Sequence, residues 1–142
     1  MTYRGIGSLF AGIGGIELGL EWAGLGPVRW QVESDPFCRR VLEAHWPDAL
    51  RFDDVCKAGR GDGADDELPP VDLICGGFPC QDISQAGKGE GINGARSGLW
   101  REFSRIVGLV RPRWVVVENV PALASRGLGL VLGDLAARGY DA

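Results

Sequence analysis

Apolar positions fall into short runs separated by glycine-rich or polar stretches, and the runs differ in period. Residues 4–10 (RGIGSLF) predict a short strand. Residues 14–22 (GGIELGLEW) carry apolar side chains at Ile16, Leu18, Leu20 and Trp22. That alternation suits a strand as well as a helix. The glycine-rich turn before it and the Ala23-Gly24 stop after it favour a helix. Residues 28–33 predict a second strand. Asp35-Pro36 reads as an N-cap followed by proline at the first helical position, opening a helix that runs to about His45 and stops before Pro47. Residues 71–75 (VDLIC) predict a third strand. Residues 99–110 predict a helix with Phe103, Ile106, Val107 and Val110 on one face. Residues 114–117 (WVVV) predict a buried strand, and residues 128–138 a last helix ending at Gly139.

Continuous apolar strands alternating with helices imply a parallel sheet covered on both faces. The expected fold is therefore α/β: an open, Rossmann-like parallel sheet whose functional residues lie at the carboxyl ends of the strands. Residues 57–70 read as a polar surface loop. Residues 85–98 form a longer glycine-rich stretch, of a length that usually carries function.

Composition narrows the class. The chain has 142 residues, a usual size for one domain, and 45% of them are hydrophobic, enough for a real core. A net charge of −4 argues against holding nucleic acid mainly by a basic surface, while leaving room for local Lys and Arg contacts. No apolar run is long enough to cross a membrane, and MTYRGIGSLF lacks a signal-peptide core, so a cytoplasmic protein is expected. Cys38, Cys56, Cys75 and Cys80 form no C-x-x-C pair and His45 is the only histidine, so neither a metal site nor a disulfide is expected. Cys75 fits a core position, and Cys38 and Cys56 look incidental.

Three places carry candidate chemistry. FAGIGG, residues 10–15, follows the first strand and opens the first helix, where Gly12, Gly14 and Gly15 let backbone approach a ligand; a bare structural turn is the alternative. Glu33, about 20 residues further on at the end of the second strand, stands where an acid can take the hydroxyls of a ribose, or be a solvated acid. Together they favour a nucleoside cofactor without separating NAD from S-adenosylmethionine, although the spacing is not G-x-G-x-x-G. In GGFPCQDIS, residues 76–84, Gly76 and Gly77 leave the strand and Pro79 fixes φ, so Cys80 follows a rigid turn. A nucleophilic thiol needs such placement and help to ionise. Glu118, in ENV after the WVVV strand, is a candidate acid or hydrogen-bond partner from the next strand end, or a surface acid before Pro121.

In order, SLFAGIGG, VESDPF, DDV, GGFPCQDIS, ARSGLW and ENV resemble the cytosine-5 DNA methyltransferase family, over the chain from about residue 6 onwards. The resemblance implies methyl transfer from S-adenosylmethionine to C5 of a cytosine flipped out of double-stranded DNA. It makes Cys80 the nucleophile that adds to C6, and Glu118 the group that holds the N3 edge of the base. It implies cofactor contacts from Phe10, Gly12, Gly14, Gly15, Glu33, Asp54, Val55, Pro79 and Leu99. Substrate contacts are implied for Gln81, Ser84, Arg96 and Asn119, with residues 85–98 as the catalytic loop. No metal is implied.

The sequence departs from the family pattern at Ser8, where many members carry Asp. It departs also at Ile16, where some carry an aromatic that packs on adenine, and at Ser34, in place of a bulky neighbour of the ribose acid. The resemblance also implies that residues 1–142 are a C-terminally incomplete catalytic and cofactor-binding domain, without the Gln-Arg-Arg motif and the target-recognition domain. A C-terminal complementing chain would then be a partner, and a remnant that only binds cofactor or such a chain is the alternative. An NAD-dependent oxidoreductase would explain the α/β pattern but not Cys80 with Glu118. An RNA substrate would leave these motifs unchanged.

Overall fold

The computed structural model describes residues 3–61, 67–79 and 98–141. Strands β1 (Ile6–Leu9), β2 (Val28–Val32), β3 (Leu50–Phe52), β4 (Leu73–Gly76) and β5 (Trp114–Val117) form one sheet in the order β3-β2-β1-β4-β5, with every pairing parallel. The described helices are α1 (Gly15–Trp22), α2 (Pro36–His45), α3 (Gly98–Val110), α4 (Leu123–Arg126) and α5 (Leu128–Ala137). From β1 the chain steps outwards to β2 and β3, then returns to the other flank of β1 as β4. Strand order reverses there, and in open parallel sheets that reversal leaves a crevice beyond the carboxyl ends.

Each sheet face has its own core. On one, Leu9, Trp30, Val32 and Ile74 meet Trp100, Phe103, Ile106 and Val107 of α3 and Val131 and Leu135 of α5. Trp100 stands at the centre: its ring centroid is 5.3 Å from that of Phe78 and 5.4 Å from that of Phe103, and its indole N–H donates to Asp134 at 2.8 Å. Of the α3 face predicted from Phe103, Ile106, Val107 and Val110, the first three are fully buried and Val110 is half-buried. Each fully buried side chain contributes about 1.5–3 kcal/mol through its removal from water. On the other sheet face, Ile6, Val28, Leu73 and Cys75 meet Ile16 and Leu20 of α1, together with Trp46. The sheet is thus covered by helices on both faces, as the strand pattern implies.

The ambiguous run at 14–22 resolves as a helix with two apolar sides. Ile16 and Leu20, one turn apart, face the core, whereas Leu18 and Trp22 face outwards, Trp22 at 81% exposure. Gly14 sets its start with φ 90, in the left-handed region, and a Cβ there would sit 2.3 Å from the Trp46 ring. Asp35 caps α2 as expected, accepting from the N–H groups of Phe37 and Cys38 at 2.7 and 2.9 Å, with Pro36 in the first turn.

Three features differ from the sequence expectation. β3 was not anticipated: it is three residues long with only Phe52 buried, too short to show a period. The four-residue α4 was missed for the same reason of length. The reading of WVVV as a buried strand is corrected. Among the described residues β5 pairs only with β4, and its burial alternates: Val115 and Val117 pack on the core, while Trp114 is 62% and Val116 38% exposed. Four apolar residues in a row look the same whether one face or two is covered.

Candidate functional site

The carboxyl ends of β1 and β2 are knit together by backbone. Ala11 N–H donates to Val32 C=O at 3.1 Å, and Glu33 N–H to Phe52 C=O at 2.9 Å, so hydrogen bonding runs on past the ends of β1 and β2. Phe10 then takes φ 55, an uncommon conformation for a bulky residue. Its strain turns the chain sharply into the glycine loop. Gly12, at φ 58, donates its N–H to Oε2 of Glu33 at 2.7 Å, while the N–H of Asp35 donates to Oε1 at 2.8 Å. One carboxylate therefore joins the loop after β1 to the entrance of α2. Each oxygen keeps a second lone pair for a further donor.

Beside Glu33 lies a cavity of about 370 Å³. Its walls include Phe10, Glu33, Asp54, Val55, Pro79 and Leu99, six of the nine residues for which a cofactor contact is implied. They come from five separate stretches of chain. Of the glycines, Gly12 reaches this place through its bond to Glu33, Gly14 packs against Trp46 and Leu42, and Gly15 faces open space. Val32, Ser34, Asp53, Cys56 and Lys57 complete the walls. Cys56, read as incidental, is corrected to a wall residue. Its N–H donates to Oδ1 of Asp54 at 2.8 Å, a local turn that the DDVC sequence could have signalled. Ile16 does not enter the cavity; it packs under α1. A wider hollow of about 600 Å³ adjoins at Asp53, Asp54 and Lys57, along α2 and β3. There Arg39 and Arg51 donate to the carbonyls of Ser34 and Trp46, at 2.6 and 2.7 Å. The smaller cavity is the better-formed site, because its acid and apolar walls converge.

The third strand end brings the two remaining motifs together. Glu118 N–H donates to Gly76 C=O at 3.0 Å, extending the β4–β5 ladder. A Cβ on Gly77 would lie 2.6 Å from Oε2 of Glu118, so the carboxylate rests directly against the turn that leaves β4. Asn119 Nδ2 donates to Phe78 C=O at 3.1 Å, and its Oδ1 accepts the N–H of Val120 at 2.8 Å. Glu118 is exposed, on a strand that is itself half open. Cys80, Gln81, Ser84, Arg96 and the stretch 85–97 lie outside the described residues. Pro79, the residue before Cys80, lines the cavity and so links it to this turn.

The charged groups elsewhere fall away from this edge. Glu17 and Gln31 are fully buried beneath α1, and burial pushes the Glu17 carboxyl up from its ordinary value. Cys75 lies close by, its thiol pushed up to about 12 by burial first and the Glu17 charge second. Among the described residues no group of three His, Cys, Asp or Glu could hold a metal ion, and no helix is long and apolar enough to cross a membrane.

Comparison with known proteins bears on the same residues. The family model described as C-5 cytosine-specific DNA methylase matches residues 5–138. The chain is 40% identical over 132 residues to the type II methyltransferase M2.BsuMI of Bacillus subtilis, which covers 90% of this chain and 32% of that protein. It is 36% identical over 138 residues to the type II methyltransferase M.HgiCII of Herpetosiphon aurantiacus, covering 94% and 30%. A crystal structure of a prophage-encoded DNA modification methyltransferase of E. coli superposes with a TM-score of 0.70 at 25% identity, over 94% of this chain and 38% of that one. The chain spans about a third of the length of the curated relatives it matches.

Proposed function

Because the chain belongs to the C-5 cytosine-specific DNA methylase family, we propose that it carries the cofactor site and catalytic residues for methylation of cytosine at C5 in DNA. One observation above all supports this reading. The cavity at the strand-order reversal gathers Phe10, Glu33, Asp54, Val55, Pro79 and Leu99, and Pro79 ties it to the turn that Glu118 touches.

The cavity residues fit an amphipathic nucleoside. Glu33 offers lone pairs to a pair of vicinal hydroxyls, Phe10, Val55 and Leu99 offer apolar walls to a flat base, and Asp54 offers an acceptor at the rim. Bound there, S-adenosylmethionine would supply an electrophilic methyl group.

Cytosine C5 is a poor nucleophile, and the residues supply the remedy. The Cys80 thiolate adds to C6 of a base taken out of the duplex, forming a C–S bond and giving C5 enamine character. Glu118 holds the N3 edge and stabilises the protonated ring as the thiolate adds. C5 takes the methyl group, loses its proton to a base, and the C–S electrons return to sulfur as the thiolate leaves. Gln81, Ser84 and Arg96 serve substrate contacts in this reading, and DNA as substrate places the protein inside the cell. The matched stretch is about a third of the length of the curated relatives, so the test below supplies the remainder.

The test is covalent trapping on a duplex carrying 5-fluorocytosine, whose fluorine blocks the loss from C5. The mixture contains S-adenosylmethionine and the C-terminal portion of a relative. A shifted band with the wild-type sequence and none with Cys80→Ala is expected. Absence of any adduct, with the fold and cofactor binding intact, would leave a chain that only binds cofactor or its partner.

A further inference from the structure

We propose that Arg105 is a positioning residue for the cofactor: from α3 its guanidinium holds the turn at residues 54–58, one wall of the cavity, in register with Leu99, a wall that the same helix supplies. This rests on the reading of the cavity as the cofactor site and deepens it, because it concerns the end that takes the flat base.

A turn that packs on a core must find donors for its own carbonyls. All five from Asp54 to Ala58 are taken. The Asp54 C=O accepts the N–H groups of Lys57 and Ala58 at 3.1 and 3.0 Å, and the Lys57 C=O accepts the N–H of Arg60 at 3.0 Å. The Cys56 C=O accepts from Nε of Arg60. The remaining two, at Val55 and Ala58, are taken by a side chain from another element. Nη2 of Arg105 donates to both, at 2.9 and 2.8 Å, across 50 and 47 residues of sequence. Its Nε donates to Oε2 of Glu102, one turn earlier on α3, at 2.6 Å. Oε1 of Glu102 accepts from Nη2 of Arg60 at 3.1 Å, so one carboxylate grips both arginines. A guanidinium is planar, and three acceptors in its fork fix both the direction of the turn and its distance from α3. Val55 and Ala58 are buried, and Asp54, Val55, Cys56 and Lys57 line the cavity. Leu99, in the first turn of α3, lines it too. Arg105 itself is not a wall residue, so it acts through the turn.

Arg105→Lys keeps the charge and much of the stem and loses the planar fork. The measurement is calorimetric titration of the chain with three ligands, paired with its melting temperature. The ligands are S-adenosylhomocysteine, its inosine counterpart, in which a carbonyl replaces the amino group of the base, and its 2′-deoxy counterpart. Preference over the inosine ligand reads the base end, bounded by Asp54 and Val55. Preference over the 2′-deoxy ligand reads Glu33. Arg105→Lys is expected to weaken S-adenosylhomocysteine by about tenfold, the scale of one lost charged hydrogen bond. Its preference over the inosine ligand should fall by about threefold or more. Its preference over the 2′-deoxy ligand should stay within about twofold of wild type, because the Glu33 wall is untouched. A merely structural role would lower the melting temperature and weaken all three ligands by one factor, and that result would overturn the inference. Affinities within about twofold of wild type for all three would overturn it as well. No binding by the wild-type chain, with its fold intact, would remove the cofactor-site reading and this inference with it. Where Arg105→Lys fails to fold, Glu102→Gln carries the test. It keeps one acceptor for the two arginines, and should shift the base preference in the same direction by a smaller factor. An unchanged base preference there would count against the clamp.

Discussion

The N–H of Gly12 donates to Oε2 of Glu33 across 21 residues of sequence, and the other oxygen of that carboxylate takes the N–H of Asp35. The acid is therefore part of the wall before any ligand arrives. Glu33→Ala should lower stability by about 1–3 kcal/mol, because two N–H groups lose a charged acceptor. It should also weaken binding of S-adenosylhomocysteine by on the order of tenfold or more. Glu33→Gln, which keeps one acceptor oxygen, should fall between wild type and alanine in both. Calorimetric titration and thermal melting check this together. Equal affinity for wild type and alanine would mean that Glu33 is only a loop fastener.

Gln31 Nε2 lies 3.4 Å from Oε1 of Glu17, while Oε2 of Glu17 and Oε1 of Gln31 are buried with no hydrogen-bond partner among the described residues. A proton on Glu17 would remove the buried charge and turn one of its oxygens into a donor. Ser8 from β1 and Cys75 from β4 also face the carboxyl, and Glu21 on the same helix adds a like charge. Burial raises the Glu17 carboxyl, so the folded chain holds this proton more tightly than the unfolded one. The contribution is fully present below the ordinary glutamate range and is lost as pH rises through the raised folded value. Urea midpoints measured across that window should fall with rising pH in wild type. Glu17→Gln, an amide facing an amide, should flatten the slope and be the more stable protein at neutral pH. An unchanged slope would show that Glu17 is not the group responsible.

Gly77→Ala places a Cβ 2.6 Å from Oε2 and 3.3 Å from the carbonyl of Glu118. Either the carboxylate or the turn must shift. The expected outcome is a stability loss of about 1–3 kcal/mol, typical of overpacking, with adduct formation reduced more than stability alone explains. Adduct formation at the wild-type rate would indicate that the Glu118 position is not needed.

The cysteines report on the cavity without any turnover. Cys75 is fully buried with its thiol pushed up to about 12, so iodoacetamide should leave it untouched until the chain unfolds. Cys56 is exposed and lines the cavity. It should be alkylated in the folded chain, and S-adenosylhomocysteine should slow that reaction. Peptide mass spectrometry distinguishes the two sites. Unslowed alkylation of Cys56 at saturating ligand would place the cofactor elsewhere.

Much of the site was legible because each motif sits where a strand ends. Glu33, Glu118 and the glycine turn follow apolar runs, so reading the runs as strands put all three on one edge. The glycine turn also decided the helix at 14–22, against an alternating pattern that fitted a strand. Illegible were features set by neighbours far away in sequence. Nothing in WVVV says that one side of β5 stays open. Nothing in Cys56 says that the 98–110 helix begins opposite it. The distribution of roles among Gly12, Gly14 and Gly15 depends on Glu33, Trp46 and Leu42, none of them near in sequence.

The cavity walls come from residue 10, residues 32–34, residues 53–57, residue 79 and residue 99. No two of these stretches are neighbours in the chain, and only the assembled sheet brings them within reach of one molecule. An incompletely folded chain thus has no partial version of the pocket. A ligand that fits it binds the native state alone, and its affinity adds to global stability by mass action. Ligand-dependent protection from unfolding becomes a gauge of whether a given length of this polypeptide has completed its sheet. A cut anywhere between residues 10 and 99 should abolish that protection altogether rather than reduce it by degrees.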